Sequence, residues 1–563
     1  MSDSNQTKKS SRFMRILPTL VISILVGFIW FLLLYGFDYL KFTNVDWIYL
    51  SGGDVFQHQI GWEWFRQEPW RFPIGRIEGY GYPFGTFISY TDSIPLLAIP
   101  IKLLGDILPQ NFQYLGLWEL ISLIGQMLFG LLILGEFTPS YFKKIPGSSL
   151  LILSPILLYR AFEHNSLTAQ WILLAGIWLV LLAYRGKLWR WAWVLLFASA
   201  ILVQLYFVAM LTPLWLVSLF FQYKREKKIK MLVVDLLITP AVMLVIVYSI
   251  GLFSLSVGNL LAAGLGYFSW NLNGLFNPLK YSAILHALPL GVEGQYEGFS
   301  YLGLGNLLIL PIALFLFFKK DRSTRRLSFF LPFVLISIAF ILFALSNKAF
   351  LNTQPLWDFQ LPKYVEILFS LFRATGRFIW PVFYFLALFG LISVIRNTRY
   401  AAIIIFLALI LQFVDIRPLY VSKQYNSFQE YQSPLQAEFW QAAAENNQHV
   451  FLIPASKAHA IYEPFALFAR QNQMTLNWGY FSRTDLNGIR ILGEKVWEEL
   501  QAGQSDTNTI YVFWGSDWEK LAQDELSDQM LICKLDGFTV AISEENNLVQ
   551  TDFDLAQSCT KPK

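Results

Sequence analysis

The sequence predicts a mainly α, polytopic membrane protein that ends in a small extracytoplasmic α/β domain. Three observations carry that expectation. Of 563 residues, 55% are hydrophobic and 15% charged, with a mean hydropathy of +0.45, a composition far too apolar for a soluble chain of this length. Several runs of about 17 to 23 residues are almost free of charge, enough to cross a hydrocarbon core of about 30 Å. Beyond residue 417 the chain turns polar and shows short strand-like apolar runs.

The elements follow in order. Residues 1–15 are polar and basic (Lys8, Lys9, Arg12, Arg15), and 16–37 are apolar. That core is too long for a cleaved signal and has no small-residue cleavage site, so it reads as a retained anchor with a cytoplasmic N-terminus. Later spans are expected near 112–135, 147–160, 167–183, 190–206, 208–222, 231–253, 302–318, 327–346, 378–395 and 400–416, about eleven in all. Lys143 and Lys144, then Arg185, Lys187 and Arg190, then 224–228, 319–326, and Arg396 with Arg399 fall on the side of the N-terminus. The positive-inside rule makes that side cytoplasmic. An odd count leaves the C-terminus outside, with four outward segments at 38–111, 160–165, 254–301 and 347–377. Segment 94–108 carries Pro95, Pro100, Lys102 and Asp106 and reads as interfacial or re-entrant.

The chain thus divides into a membrane domain, 1–417, and an α/β domain, 418–563. In the latter, 448–454 and 509–514 read as buried strands and 433–446 as a helix, while Asp536-Gly537 between two apolar runs signals a hairpin. Cys533 and Cys559 both lie here. An oxidising compartment would permit a disulfide between them; Cys533 reads equally as a small buried hydrophobe. No P-loop or GxGxxG motif occurs in the tail, and no internal repeat is visible in the chain. The net charge of +4 is modest, and no nucleic-acid partner is expected.

Candidate functional residues cluster in the outward segments. Residues 52–102 are rich in Asp, His, Glu, Arg, Trp and Tyr within an otherwise apolar chain. Asp54 precedes a stripe of Phe56, Ile60 and Trp64, the pattern of an amphipathic interfacial helix. It reads either as that helix's N-cap or as a general base that takes a proton from an acceptor hydroxyl. His58, one turn on, would assist Asp54 or share a metal with it. Asp92 reads as the cap of the segment starting near Ile94 or as a second acid. The short loop holds Arg160, Glu163 and His164, which read as a solvated hairpin or as part of a site. Tyr296, Glu297, Tyr301 and Asn306 follow in the third segment; their polar groups suit a sugar, while tyrosines also suit an interfacial belt. Arg373 and Arg377 are four apart, hence on one face of an expected helix. They would snorkel to headgroups or grip a phosphate through planar guanidinium groups.

An outward first loop with an early Asp, acidic and basic residues in later outward loops, and a C-terminal extracytoplasmic domain together resemble the GT-C glycosyltransferases. The stretches GGDVFQHQIGWEWFRQEPWRFPIG, YPFGTFISYTDSIPL and QYEGFSYLGLG resemble an uncharacterised bacterial family of polytopic proteins grouped with that class. The likeness covers roughly 15–417. It implies transfer from a polyprenyl-phosphate-linked sugar to an envelope glycan, lipid or protein acceptor. Asp54 matches the first-loop catalytic acid, Glu163 is the best candidate for the second, and Arg373 or Arg377 would hold the lipid phosphate. Asp54 has no adjacent acid, a departure from the class that leaves divalent-metal dependence open; no metal ligand set and no cofactor is assigned. Membrane lipids are the remaining expected partners, in the bacterial cytoplasmic membrane. The competing readings are a lipid or polysaccharide transporter (a flippase) and a catalytically inactive envelope-assembly scaffold.

Overall fold

The computed structural model describes residues 3–254, 264–319, 327–424, 429–550 and 559–562. The basic loop at 319–326, apart from Lys319, falls outside the described residues, as do the side chains of Lys8, Lys9, Arg12 and Arg15. The protein is mainly helical and forms two compact units. One comprises Met1–Asn44, Asn111–Ile246 and Leu261–Ser427; the other comprises Val45–Gln110, Val247–Leu260 and Phe428–Lys563. These units cut across the linear division at residue 417, because the first loop folds with the tail.

Among the described residues of the first unit, five apolar helical segments reach membrane-crossing length: Leu17–Tyr35, Leu115–Gly135, Asn165–Arg185, Leu205–Glu226 and Thr375–Asn397; Ile229–Ser249, which runs on into the second unit, makes a sixth. This is a multi-pass membrane protein. Four further apolar helices are shorter, Trp191–Ile201, Leu304–Lys319, Phe330–Leu345 and Ala401–Asp415, so the six fall short of the expected eleven.

The segment expected as a span at 147–160 is a broken helix. Tyr141–Ile152 stops, and Pro155–Leu158 restarts after Leu153 and Ser154. Pro155 has no N–H to continue the ladder, and its neighbours' carbonyls would be left bare in an apolar medium. Side chains from other helices cover them. Gln126 Nε2 donates to the Leu151 carbonyl (3.1 Å), Gln412 Nε2 to that of Leu153 (3.0 Å) and Gln170 Nε2 to that of Ile156 (2.9 Å). Tyr384 links two of these glutamines: its hydroxyl accepts from Gln126 (2.7 Å) and donates to Gln170 Oε1 (2.6 Å). Gln412 Oε1 also accepts from the Gly305 N–H (2.9 Å). Gly303, at φ +79°, leaves the room for this side chain; a Cβ there would lie 2.0 Å from Gln412 Nε2.

The second unit is built on a six-stranded mixed sheet in the order Cys559–Thr560, Met530–Leu535, Phe538–Ser543, Thr509–Phe513, His449–Ile453, Thr475–Leu476. The last three strands run parallel and the others antiparallel. The expected strands and hairpin are present, and Asp536 (φ +50°) and Gly537 (φ +83°) both adopt the left-handed conformation of a two-residue hairpin turn. The helix expected at 433–446 begins later, at Glu438–Asn446, because Asp536 Oδ2 accepts the N–H groups of Gln436 and Ala437 and holds the chain extended there. Cys533 and Cys559 form a disulfide between adjacent strands.

The first loop completes this sheet. Gly81 and Tyr82 donate to the Leu476 carbonyl, and Leu476 donates to that of Gly79, so residues 79–82 cover the exposed edge of the strand Thr475–Leu476. An uncovered edge is a template for aggregation. The first loop and the C-terminal tail therefore lie on the same side of the membrane.

Two outcomes are expected. Gln412→Leu strips partners from the Leu153 carbonyl and the Gly305 N–H, and should destabilise the detergent-solubilised protein by about 2 kcal/mol, read as a lowered melting temperature. Cys559→Ser opens a loop of 26 residues and should cost about 3 kcal/mol, read as faster limited proteolysis within residues 428–563.

Candidate functional site

In the second unit, Asp54 sits in the first turn of the helix Gly53–Gln67 and is half-buried. It is not the N-cap. Gly52 holds that position with φ +63°, and the Gly53 N–H is met by Glu463 Oε1 (2.7 Å), a carboxylate from the helix Tyr462–Gln471. Nor is this an interfacial helix. Every residue from Val55 to Phe65 is buried, because Phe56 packs on Tyr462, Trp64 stacks on Tyr80, and Glu63 pairs with Arg470 (3.1 Å). Glu63 also accepts from the Tyr49 hydroxyl (2.7 Å) and from Gln59 Nε2 (2.9 Å). The amphipathic stripe was legible; the cover on its polar side comes from residues some 400 positions away.

His58 is fully buried in the same helix, and a ring nitrogen lies within 4.8 Å of an Asp92 carboxylate oxygen. Asp92 does not cap the helix Pro95–Lys102, whose N-cap is Ile94 without a side-chain cap. Its backbone is left-handed, φ +54°, a conformation that Asp tolerates better than most residues. An imidazole and a carboxylate at this spacing can pass a proton through one bridging water or contribute two donors to a metal, short of the four ligands of a closed site.

In the membrane unit, three segments between the apolar helices meet at one carboxylate. Glu297, in the turn Glu293–Gly298, receives Arg160 Nη2 at 2.5 Å and Arg377 Nε at 2.9 Å. The side chains are 12%, 6% and 8% exposed respectively. Burial alone would raise the Glu297 pKa, but the two guanidinium groups overcome it and hold the carboxyl well below its usual range. Arg377 also lies over the Tyr206 ring (4.7 Å), and the Tyr206 hydroxyl accepts the Ala374 N–H (3.0 Å). Arg160 lies over Tyr159 (5.0 Å). Beside it, Lys423 Nζ meets Glu163 Oε1 at 2.5 Å and the Tyr159 carbonyl at 3.2 Å. Burial lowers the Lys423 pKa, and Glu163 partly offsets that.

Other expected residues separate from this cluster. Arg373 does not share a helix face with Arg377. The helix Lys363–Ser370 has ended, the next helical turn starts at Thr375, and Arg373 is exposed over the Phe268 ring (5.4 Å). Tyr301 is buried, and its hydroxyl donates to Asp415 Oδ2 (2.7 Å), which also accepts the Leu304 N–H (3.0 Å). That is an anchor between two helix ends, and it removes Tyr301 from the sugar-binding set. Asn306 is also buried and donates to the Leu302 carbonyl (2.9 Å). Tyr296 is part-exposed beside Phe268. His164 is buried, with Nδ1 3.2 Å from Ser166 Oγ. Glu163 is 56% exposed. Sequence reasoning missed Lys423, Tyr206 and Glu463. A lone lysine just past the final apolar run was a signal for the first; nothing local marks the other two.

The fold and these clusters define a polytopic membrane protein whose charged side chains gather in the segments between its apolar helices, with an α/β unit built partly from the first of those segments. The chain belongs to the family described as a domain of unknown function, DUF6311, whose model matches residues 24–417; the DUF6311 C-terminal domain matches 439–543. No curated protein and no solved structure matches it.

Replacing Glu297 by Gln leaves two buried guanidinium groups facing a neutral amide. The expected loss is about 3–5 kcal/mol, read by thermal melting. Because the folded pKa is depressed, the carboxylate's contribution is complete above its unfolded value of about 4.3 and is lost as pH falls below it. The wild-type melting temperature should therefore carry a component that is flat from neutral pH and declines in acid, and Glu297→Gln should abolish that component.

Proposed function

We propose that this protein is a GT-C-type glycosyltransferase that moves a sugar from a polyprenyl-phosphate donor to an extracytoplasmic acceptor. The observation that carries the reading is the cluster around Glu297. Arg160, Arg377 and Lys423 bring three cations against the carboxylates of Glu297 and Glu163, so a largely buried region keeps an excess positive charge. Preorganised positive charge of this kind stabilises a departing phosphate.

In this reading the acceptor hydroxyl attacks the anomeric carbon and gives its proton to a base, for which the sequence offers Asp54 as the candidate. The bond from that carbon to the phosphate oxygen breaks, configuration inverts, and polyprenyl phosphate leaves with the negative charge. The arginines balance that charge. The topology has eleven crossings, the four shorter apolar helices and the broken Tyr141–Leu158 segment being added to the six longer ones. That count agrees with the first loop and the tail sharing one side. The basic loops place the N-terminus in the cytoplasm and the second unit outside the bacterial cytoplasmic membrane. The acceptor is an envelope glycan, lipid or protein.

A transport reading draws on a different observation. Glu119 is fully buried near the start of the helix Leu115–Gly135, where Oε1 accepts from Asn165 (2.6 Å) and Thr168 (3.2 Å), and a broken helix lies in the same unit. Buried ionisable groups and interrupted helices are features of transporters.

The deciding experiment compares lipid-linked sugars in a deletion strain complemented with wild type, Asp54→Asn or Glu119→Gln. Accumulation of a polyprenyl-phosphate sugar in the deletion and in Asp54→Asn, with loss of one glycan residue, is the expected result. Full complementation by Asp54→Asn with failure of Glu119→Gln would transfer the case to transport.

A further inference from the structure

The outward end of the apolar helix Leu327–Leu345 holds a feature that neither reading uses. Strands Lys348–Leu351 and Gln354–Asp358 form an antiparallel hairpin after it, and the chain returns through the helix Lys363–Ser370. Among these elements lies a cavity of about 280 Å³, walled by Leu342, Trp357, Phe359, Leu361 and Phe369 with Ser346 and Asn347. The cavity is open on one side, where Leu342 is exposed, so whatever surrounds the helix can fill it.

The polar groups in the wall argue against water. Ser346 Oγ donates to Asn347 Oδ1 (3.2 Å), Asn347 Nδ2 to the Phe359 carbonyl (3.0 Å) and Trp357 Nε1 to the Ser346 carbonyl (3.2 Å). Each is engaged within the wall, whereas a buried water needs two to four polar partners of its own. An apolar occupant fits. The surface leading to the cavity says which. Leu331, Val334, Leu335 and Ile338 are 50–57% exposed, and Leu342, in the cavity wall, is 58% exposed. Their spacing places them on one helix face. In a helix this apolar that face lies against lipid chains, and it runs without a polar break into the cavity.

We propose that this cavity holds the hydrocarbon chain of a membrane lipid, entering along the stripe that ends at Leu342. The site stands whether or not the protein is a transferase. Full-length protein in nanodiscs would be irradiated with two probes in turn, a phosphatidylethanolamine with a diazirine at its acyl terminus and a polyprenyl phosphate with a diazirine on its last isoprene unit. Adducts would be mapped by peptide mass spectrometry. Adducts should concentrate within residues 342–369 and be lost in Leu361→Trp, which fills the cavity. Leu342→Trp serves as a second filling variant on the exposed wall, where a larger side chain leaves the core intact. Labelling by the phospholipid probe assigns the site to bilayer chains, and labelling by the polyprenyl probe alone assigns it to a long isoprenoid; either supports the proposal. Adducts spread evenly over the exposed apolar helices, or unchanged in both filled variants, would overturn it.

Discussion

The contact of Glu297 with Arg160 and Arg377 is the constraint on which the loops at this end of the membrane unit depend. Three segments far apart in sequence are held at one carboxylate. Removing such ions from water costs several kcal/mol each, and only close pairing returns it. The loops are therefore fixed relative to one another or not folded at all. The same pairing leaves one positive charge over, so a single arrangement both orders the loops and prepares them for an anion.

The membrane unit meets a second demand, that of backbone groups in an apolar medium. Its broken helix is tolerable because glutamines 126, 170 and 412 each donate to a carbonyl near the break. These side chains explain why polar residues lie inside spans that otherwise carry almost none, and they need no permeation path to account for them. Glu119 is different: it is an ionisable group that accepts from the side chains of Asn165 and Thr168, and it remains the stronger support for the transport reading.

The sequence made the apolar helices, the tail strands and the Asp536-Gly537 turn legible, because hydropathy and turn chemistry are local. It also pointed to Arg160, Glu297 and Arg377, since charge in outward loops of an apolar chain is conspicuous; that they meet was hidden, because contact across 80 to 137 positions leaves no local trace. Of the two readings of Asp54, the N-cap follows from the preference of Asp for that place, but Gly52 takes it and Glu463 serves the Gly53 N–H. The helix after it has an interfacial pattern in sequence because part of its cover, Tyr462, Glu463 and Arg470, comes from the tail. The spacing of Arg373 and Arg377 allows one helix face, but the break between the helix ending at Ser370 and the turn starting at Thr375 separates them.

Hydrogen exchange on the full-length protein in detergent, comparing wild type with Glu297→Gln, tests the keystone role of that carboxylate most directly. Amides in 159–164, 293–298 and 374–379 should lose protection together while the glutamine-mended helix keeps its own. Loss of protection confined to 293–298 would contradict it, and would reduce the cluster to a local ion pair.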